Sequence, residues 1–331
     1  MHAFWYQQAG AAAAVLEHGE RDTPEPGNGE VRVRIAYSAV NPTDVKRRQS
    51  GRELGEFPLI IPNNDGSGII DAVGDGVDAV RLGERVWIFG AQAGRPFGTA
   101  AEHCIVPSRF ARHLPANQSM QNGACLGVPA VTAHYGCFAD GPIDGKTVLI
   151  TGGTGRVGRY GVQMAKLGGA VVIATAGSAE KADHVRGLGA DHVINYADDD
   201  LVSAVSEITG GAGVDRFLDV AFGVNIGNVP QLVKPNGVVA SYGSDEVGSP
   251  VFPFLQLMAA CILVRPFIIY GMPDEAQDAA FEAVEKWLAD DKLDHLIGKR
   301  LTFDDAIAAH EAIERGDFIG CCIVEVDGGI T

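Results

Sequence analysis

The sequence predicts an α/β chain in two parts: a β-rich unit of short strands and a doubly wound parallel sheet covered by helices. Three observations predict it. The run Thr147-Val148-Leu149-Ile150-Thr151 is apolar and β-rich and stops at glycines spaced G-x-G-x-x-G (Gly153, Gly155, Gly158), after which a helical pattern runs through Tyr160, Val162, Gln163, Ala165 and Leu167. From about residue 124, strand-like and helix-like runs alternate, the signature of a parallel sheet. Before that point short strands are punctuated by Pro24, Pro26, Gly27, Pro58, Pro62, Gly74 and Gly76, as in a compact barrel-like β domain.

In order, the alternation of Val31-Arg32-Val33-Arg34-Ile35 predicts a half-buried strand over 31–37, and further strands are expected at 68–73, 85–89 and 103–106. A helical segment over 133–138 leads to the strand at 147–151. Strands at 170–175, 192–194, 215–219 and 237–242 then alternate with helices at 180–188 and 201–208. Helical patterns at 274–288 and 303–313 and a strand at 321–326 close the chain.

A length of 331 residues suggests about two domains. The formal net charge of −16 argues against a nucleic-acid groove or an anionic membrane as main partner and fits a solvated acidic surface. The start of the chain has no basic region followed by a long apolar run, so no secretory signal is expected. The apolar runs at 255–263 and 267–270 are interrupted by Arg265, Pro266 and Gly271 and are too short to span a bilayer. The six cysteines form no C-x-x-C pair, which predicts reduced, buried thiols in a cytoplasmic protein. Adjacent Cys321 and Cys322 would face opposite ways on a strand.

A strand, a glycine turn and a helix in that order suit the pyrophosphate of a dinucleotide. Gly153 permits the tight turn, Gly155 lets the backbone approach the phosphates, and Gly158 lets the helix lie close to the strand. The helix N-terminus offers N–H groups and a positive dipole end to the anion. An Asp or Glu at the exit of the second strand usually accepts from an NAD ribose. Here the exit reads Ala174-Thr175-Ala176-Gly177-Ser178-Ala179-Glu180-Lys181. Its immediate exit is uncharged, and Ser178 and Lys181 suit a 2′-phosphate, which predicts NADPH. A charge-assisted hydrogen bond contributes about 1.5–3 kcal/mol, enough for a clear preference. Glu180 is the carboxylate that would oppose this by turning toward the ribose.

Several segments resemble the zinc-independent quinone oxidoreductase branch of the medium-chain dehydrogenase/reductase superfamily, the ζ-crystallin-like proteins. They are Asn41-Pro42-Thr43-Asp44, Asn64-Asp65-Gly66-Ser67-Gly68, residues 126–133 and Leu188-Gly189-Ala190-Asp191-His192-Val193-Ile194-Asn195-Tyr196. The resemblance implies a GroES-like catalytic domain over 1–123 and 271–331 and a Rossmann NADP-binding domain over 124–270, with cofactor and substrate meeting in the cleft between them. It further implies that Thr132 contacts the nicotinamide and that Gly152, Gly153, Thr154, Gly155, Arg156 and Val157 hold the pyrophosphate. Ser178, Lys181 and Tyr196 would surround the 2′-phosphate, and Phe222, Tyr242 and Gly243 would line the central path. Phe267 and Ile269 would lie beside the nicotinamide.

In the superfamily's zinc alcohol dehydrogenases the metal-holding positions correspond here to Asn41, Asn64 and Val128. Zinc takes thiolate, imidazole or carboxylate donors in a tetrahedron, and two amides with a hydrocarbon cannot supply them. No metal site is expected, since the nine histidines form no H-x-x-x-H or H-E-x-x-H pattern and the clustered cysteines of a structural zinc lobe are missing. A quinone or activated enone takes hydride readily because negative charge spreads onto its oxygen, so a hydrogen-bond donor can replace a Lewis acid. Asn41 is the candidate donor and Lys46 a candidate source of positive charge. The chain departs here from members that carry Tyr at or near position 46.

The function expected is therefore NADPH-dependent hydride transfer to quinones without zinc. An NADPH-dependent enone or alkenal double-bond reductase shares the same fold and hydride donor. A non-catalytic, crystallin-like NADPH-binding protein is the reading from another class. The apolar stretch 252–270 looks like the family's dimer edge, which implies a homodimer. Intramolecular core would explain it equally well.

Overall fold

The parallel sheet forms where β-branched runs alternate with capped helices. The computed structural model describes residues 1–244 and 248–329. The chain divides into two compact units, Met1–Val128 with Phe281–Thr331, and Pro129–Ala280.

In the second unit six strands pair in parallel. Their order across the sheet is His192–Asn195, Val171–Ala176, Thr147–Ile150, Val214–Asp219, Val233–Ser241 and Leu263–Pro266. In chain order this is 3-2-1-4-5-6, with the reversal point beside the first strand. Alternate residues feed two cores. Val148, Ile150 and Val172 pack with Val162 and Val185 on one face. Leu149, Ile173 and Phe217 pack with Val205 and Val239 on the other. The helices begin where side chains satisfy their first N–H groups: Ser178 Oγ accepts from Lys181 N–H at 3.3 Å and Asp200 from Ser203 N–H at 2.8 Å.

The sixth strand is the feature that the sequence pattern conceals. The run expected as one apolar stretch over 255–263 divides into a helix, Phe254–Ala259, and the edge strand Leu263–Pro266, with Cys261 turning at φ +51°. Four residues ending in proline carry too little periodicity to be read.

In the first unit a seven-stranded sheet is organised by the long strand Glu30–Val40. One edge pairs with Asp65–Val73. The other pairs first with His103–Pro107 and then with Cys321–Glu325. Irregular register near residues 32–33 and 35–37 accompanies this change of partner. Cys321 and Cys322 are both buried and do face apart. The first thiol lies against the Cys125 carbonyl and the second against Ala309 in helix Ala306–Arg315. An edge strand, Ile297–Thr302, lies parallel to Cys321–Glu325 and escapes a reading by pattern because glycine and two cations occupy it.

Candidate active site

The glycine loop leaves strand Thr147–Ile150 and enters helix Arg156–Leu167. Gly152 takes φ +66°, its N–H donates to Thr175 Oγ1 at 3.0 Å, and Gly153 N–H donates to the Thr175 carbonyl at 2.8 Å. The loop is thus pinned to the neighbouring strand. A β-carbon on Gly158 would stand 2.1 Å from the Gly152 carbonyl oxygen, so only glycine lets the helix approach this closely. The cradle fits a dinucleotide pyrophosphate, with the N-terminus of a 12-residue helix facing the loop.

At the exit of strand Val171–Ala176, Ser178 caps helix Ala179–Gly187 and Lys181 is exposed in its first turn. Tyr196, 60% exposed, brings its hydroxyl within 2.5 Å of where a β-carbon of Gly177 would stand. Ser178, Lys181 and Tyr196 therefore meet at one strand exit. Glu180 lies in the same turn and is exposed.

Phe222, Tyr242, Gly243 and Phe267 also come together. Phe222 N–H donates to the Gly243 carbonyl at 2.9 Å, and Phe267 N–H donates to that of Ser241 at 2.9 Å. The Tyr242 and Phe267 rings lie 6.2 Å apart between centroids. Thr132 is buried in helix Gly127–Phe138, one turn before Gly136, against which the Phe267 ring rests. Ile269 is buried in the short turn Ile269–Gly271.

Asn41 and Lys46 belong to the other unit. Asn41 is the N-cap of helix Pro42–Ser50. Asp44 reaches back to accept from Asn41 N–H at 2.7 Å. The Asn41 side-chain amide donates to Asp65 Oδ2 at 2.7 Å, and Val128 N–H donates to Asp65 Oδ1 at 2.8 Å. Asn64 donates to Asp44 Oδ1 at 2.6 Å and accepts from Gln92 N–H at 3.2 Å. Gly127 makes the network possible, since a β-carbon there would stand 2.1 Å from Asp65 Oδ1. Asn41, Asp44, Asn64, Asp65 and Gln92 are all buried. Burial pushes the Asp65 carboxyl well above the usual range and Asp44 pushes the same way, while the N–H groups of Val128 and Asn41 pull it back. Lys46 is exposed on the helix. Asp44 and Gln92 are members of this site that pattern reading missed. The N-x-x-D spacing of a capping box was the signal for Asp44, and nothing local marks Gln92.

These residues do not fit zinc. The two amides present N–H donors to carboxylates, Val128 offers a backbone N–H, and both Asp65 oxygens accept hydrogen bonds. Among the described residues no three His, Cys, Asp or Glu side chains gather into a metal-holding group. His103 pairs with Asp71 at 3.1 Å. His134 packs beside Phe138, and burial pushes its imidazole down to about 4.

Residues 27–116 match the alcohol dehydrogenase GroES-like domain, and residues 157–288 match the zinc-binding dehydrogenase family. A chloroplastic quinone-oxidoreductase homolog from Spinacia oleracea is 35% identical over 335 residues, covering 98% of this chain and 98% of its own. The chain belongs to the quinone oxidoreductase branch of the medium-chain dehydrogenase/reductase superfamily. Within that superfamily, a 2-haloacrylate reductase from Burkholderia is 28% identical, covering 90% of this chain and 91% of its own. A solved NAD-dependent alcohol dehydrogenase superposes with a TM-score of 0.88 at 27% identity, covering 99% of this chain and 100% of its own. A mycobacterial protein solved in complex with NADPH superposes with a TM-score of 0.85 at 26% identity, covering 98% and 100%. The fold is the superfamily's GroES-like domain with a Rossmann sheet, and the chain is an oxidoreductase of this superfamily. Among the described residues no helix is long and apolar enough to cross a membrane.

Proposed function

We propose that this chain transfers hydride from NADPH to a quinone without zinc. The observation that carries the reading is the hydrogen-bond network of Asn41, Asp65 and Val128, which occupies the zinc-holding positions with amide and backbone donors. Support for NADPH comes from the exit at Ser178, Lys181 and Tyr196 and from the relative solved with that nucleotide. Gly152–Val157 hold the pyrophosphate. Ser178, Lys181 and Tyr196 take the 2′-phosphate, and Phe222, Tyr242 and Gly243 line the path. Thr132, Phe267 and Ile269 border the nicotinamide, which supplies the hydride. Asp65 holds the Asn41 amide, and that amide donates to the acceptor's oxygen as charge develops there. Lys46 adds positive charge.

The test is oxidation of NADPH and of NADH with a benzoquinone, a naphthoquinone, an enone and an aldehyde, with and without a chelator. The reading expects NADPH to be preferred, quinones to turn over fastest and the chelator to have no effect. Loss of activity with the chelator, or better use of NADH, overturns it. A second reading, reduction of an activated double bond, draws support from the 2-haloacrylate reductase relative. A higher kcat/KM for the enone than for either quinone selects it.

The same proposal takes the chain as a cytoplasmic homodimer. Five of the six cysteines are buried, which suits a reducing compartment. The edge strand Leu263–Pro266 and the apolar helix before it suit a second copy.

A further inference from the structure

Asp219 ends the strand Val214–Asp219 and is fully buried, yet the function above gives it no part. Its Oδ1 accepts three hydrogen bonds, from Thr151 Oγ1 at 2.9 Å, Ala221 N–H at 3.0 Å and the Asn225 side-chain amide at 2.8 Å. Among the described residues its Oδ2 is buried with no partner. Around it the strand exits are tied together. Val220 N–H donates to Thr151 Oγ1 at 3.0 Å, and Ser241 Oγ and Tyr242 N–H donate to the Asp219 carbonyl, both at 3.1 Å. The carboxyl thus connects the residue before the glycine loop with the turn leading into Phe222, and the backbone carbonyl of the same residue holds the exit carrying Tyr242 and Gly243. In a doubly wound sheet the ligand lies at these carboxyl ends.

We infer that Asp219 is the positioning residue of the cofactor path, fixing the 220–222 turn against the glycine loop so that the dinucleotide meets a preformed groove. This rests on the reading that the chain binds NADPH. Asp219 touches no reacting atom, so its contribution falls on cofactor affinity and not on the hydride step. Burial pushes its carboxyl up from the ordinary range, against the pull of the N–H and O–H groups that it accepts from. A proton on Oδ2 relieves that burial and leaves Oδ1 as the acceptor of all three bonds. Asparagine keeps such an oxygen, whereas alanine leaves the three donors, two of them buried, without this acceptor.

The experiment compares wild type, Asp219→Ala, Asp219→Asn and Thr151→Val in steady-state kinetics and in direct NADPH binding by fluorescence. Asp219→Ala is expected to raise KM for NADPH by about tenfold or more, with kcat at saturating NADPH within about twofold. Asp219→Asn restores most of that loss, and Thr151→Val, which removes one arm, raises KM about threefold. Equal failure of the alanine and asparagine variants, a fall in kcat at unchanged KM, or an unmoved KM in both Asp219→Ala and Thr151→Val overturns the inference. If Asp219→Ala does not fold, Thr151→Val alone decides by the same criterion. Wild-type protein that binds no NADPH overturns the proposed function and this inference together, whereas normal wild-type binding with unmoved variants overturns the inference alone.

Discussion

In the proposed function, Lys181 is the residue on which coenzyme choice would turn. It sits in the first turn of helix Ala179–Gly187, where a cation gains nothing from the helix dipole. In the proposed function, a 2′-phosphate would give it a partner. Replacing it by alanine removes one charge-assisted bond at an exposed site, so the NADPH/NADH ratio of kcat/KM falls by about tenfold. An unchanged ratio in Lys181→Ala shows that the phosphate is held elsewhere. Glu180→Ala tests the opposing carboxylate and raises the ratio if its charge reaches the site. Ser178 and Lys181 could be read as neighbours because they lie three positions apart and the helix cap fixes their relation. The Asn41 environment could not be read in this way. Its partner Asp65 is 24 positions away and Val128 lies 63 positions beyond Asp65, separations that no local pattern encodes. Sequence reading therefore proposed the Asn41 amide as a donor without seeing that the Asp65 carboxylate holds it.

Elements of the parallel sheet were legible for the same reason. Thr147–Ile150 and Val171–Ala176 are apolar, β-branched runs, the first closed by the glycine loop and the second by the helix that Ser178 caps, whereas the edge strand Leu263–Pro266 carries no such run. What could not be read is how they are fastened. Asp140 follows the helix Gly127–Phe138 and holds two strands at once. Arg216 of strand Val214–Asp219 donates to it at 2.9 Å, and Arg265 of the edge strand donates through both Nε and Nη2. Arg216 also donates to the Gly136 carbonyl at 2.5 Å, so the helix is joined to the strand. Burial raises the Asp140 carboxyl, but the hydrogen bonds and charges of Arg265 and Arg216 prevail and hold it below the usual range. A group whose folded pKa is depressed stabilises the fold above its unfolded pKa and loses that contribution as pH falls through the folded value. Asp140→Asn is therefore expected to destabilise the chain by about 3 kcal/mol at pH 7, because a buried arginine loses its counter-charge. Urea unfolding at pH 7 and at successively lower pH checks this. The gap between variant and wild type narrows once pH drops below about 4, the ordinary range of an aspartate. A gap independent of pH shows that Asp140 acts through packing alone.

At the scale of the whole molecule, the sheet of the second unit leaves one edge to be covered. Strand Leu263–Pro266 is the last in the order and, among the described residues, pairs on one side only. Just before it, Phe254, Leu255 and Met258 expose 60%, 70% and 56% of their surface, and Val251 exposes 90%. Natural proteins seldom leave an apolar edge open, because unpaired N–H and C=O groups recruit another strand. A second copy of the same strand about a two-fold axis satisfies both requirements, since an isologous contact pairs the edge with itself and buries the apolar helix against its equivalent. Arg265 does not oppose this, because Asp140 already takes its charge. Light scattering on the purified chain should then give about twice the 34.8 kDa of one copy. Leu255→Lys combined with Met258→Lys places two cations at that contact on each copy. It should shift the mass to that of one chain while the far-ultraviolet circular dichroism stays unchanged, because both side chains face away from the core of their own unit. A wild-type chain that runs as a monomer at micromolar concentration removes the dimer and leaves the exposed helix without a partner.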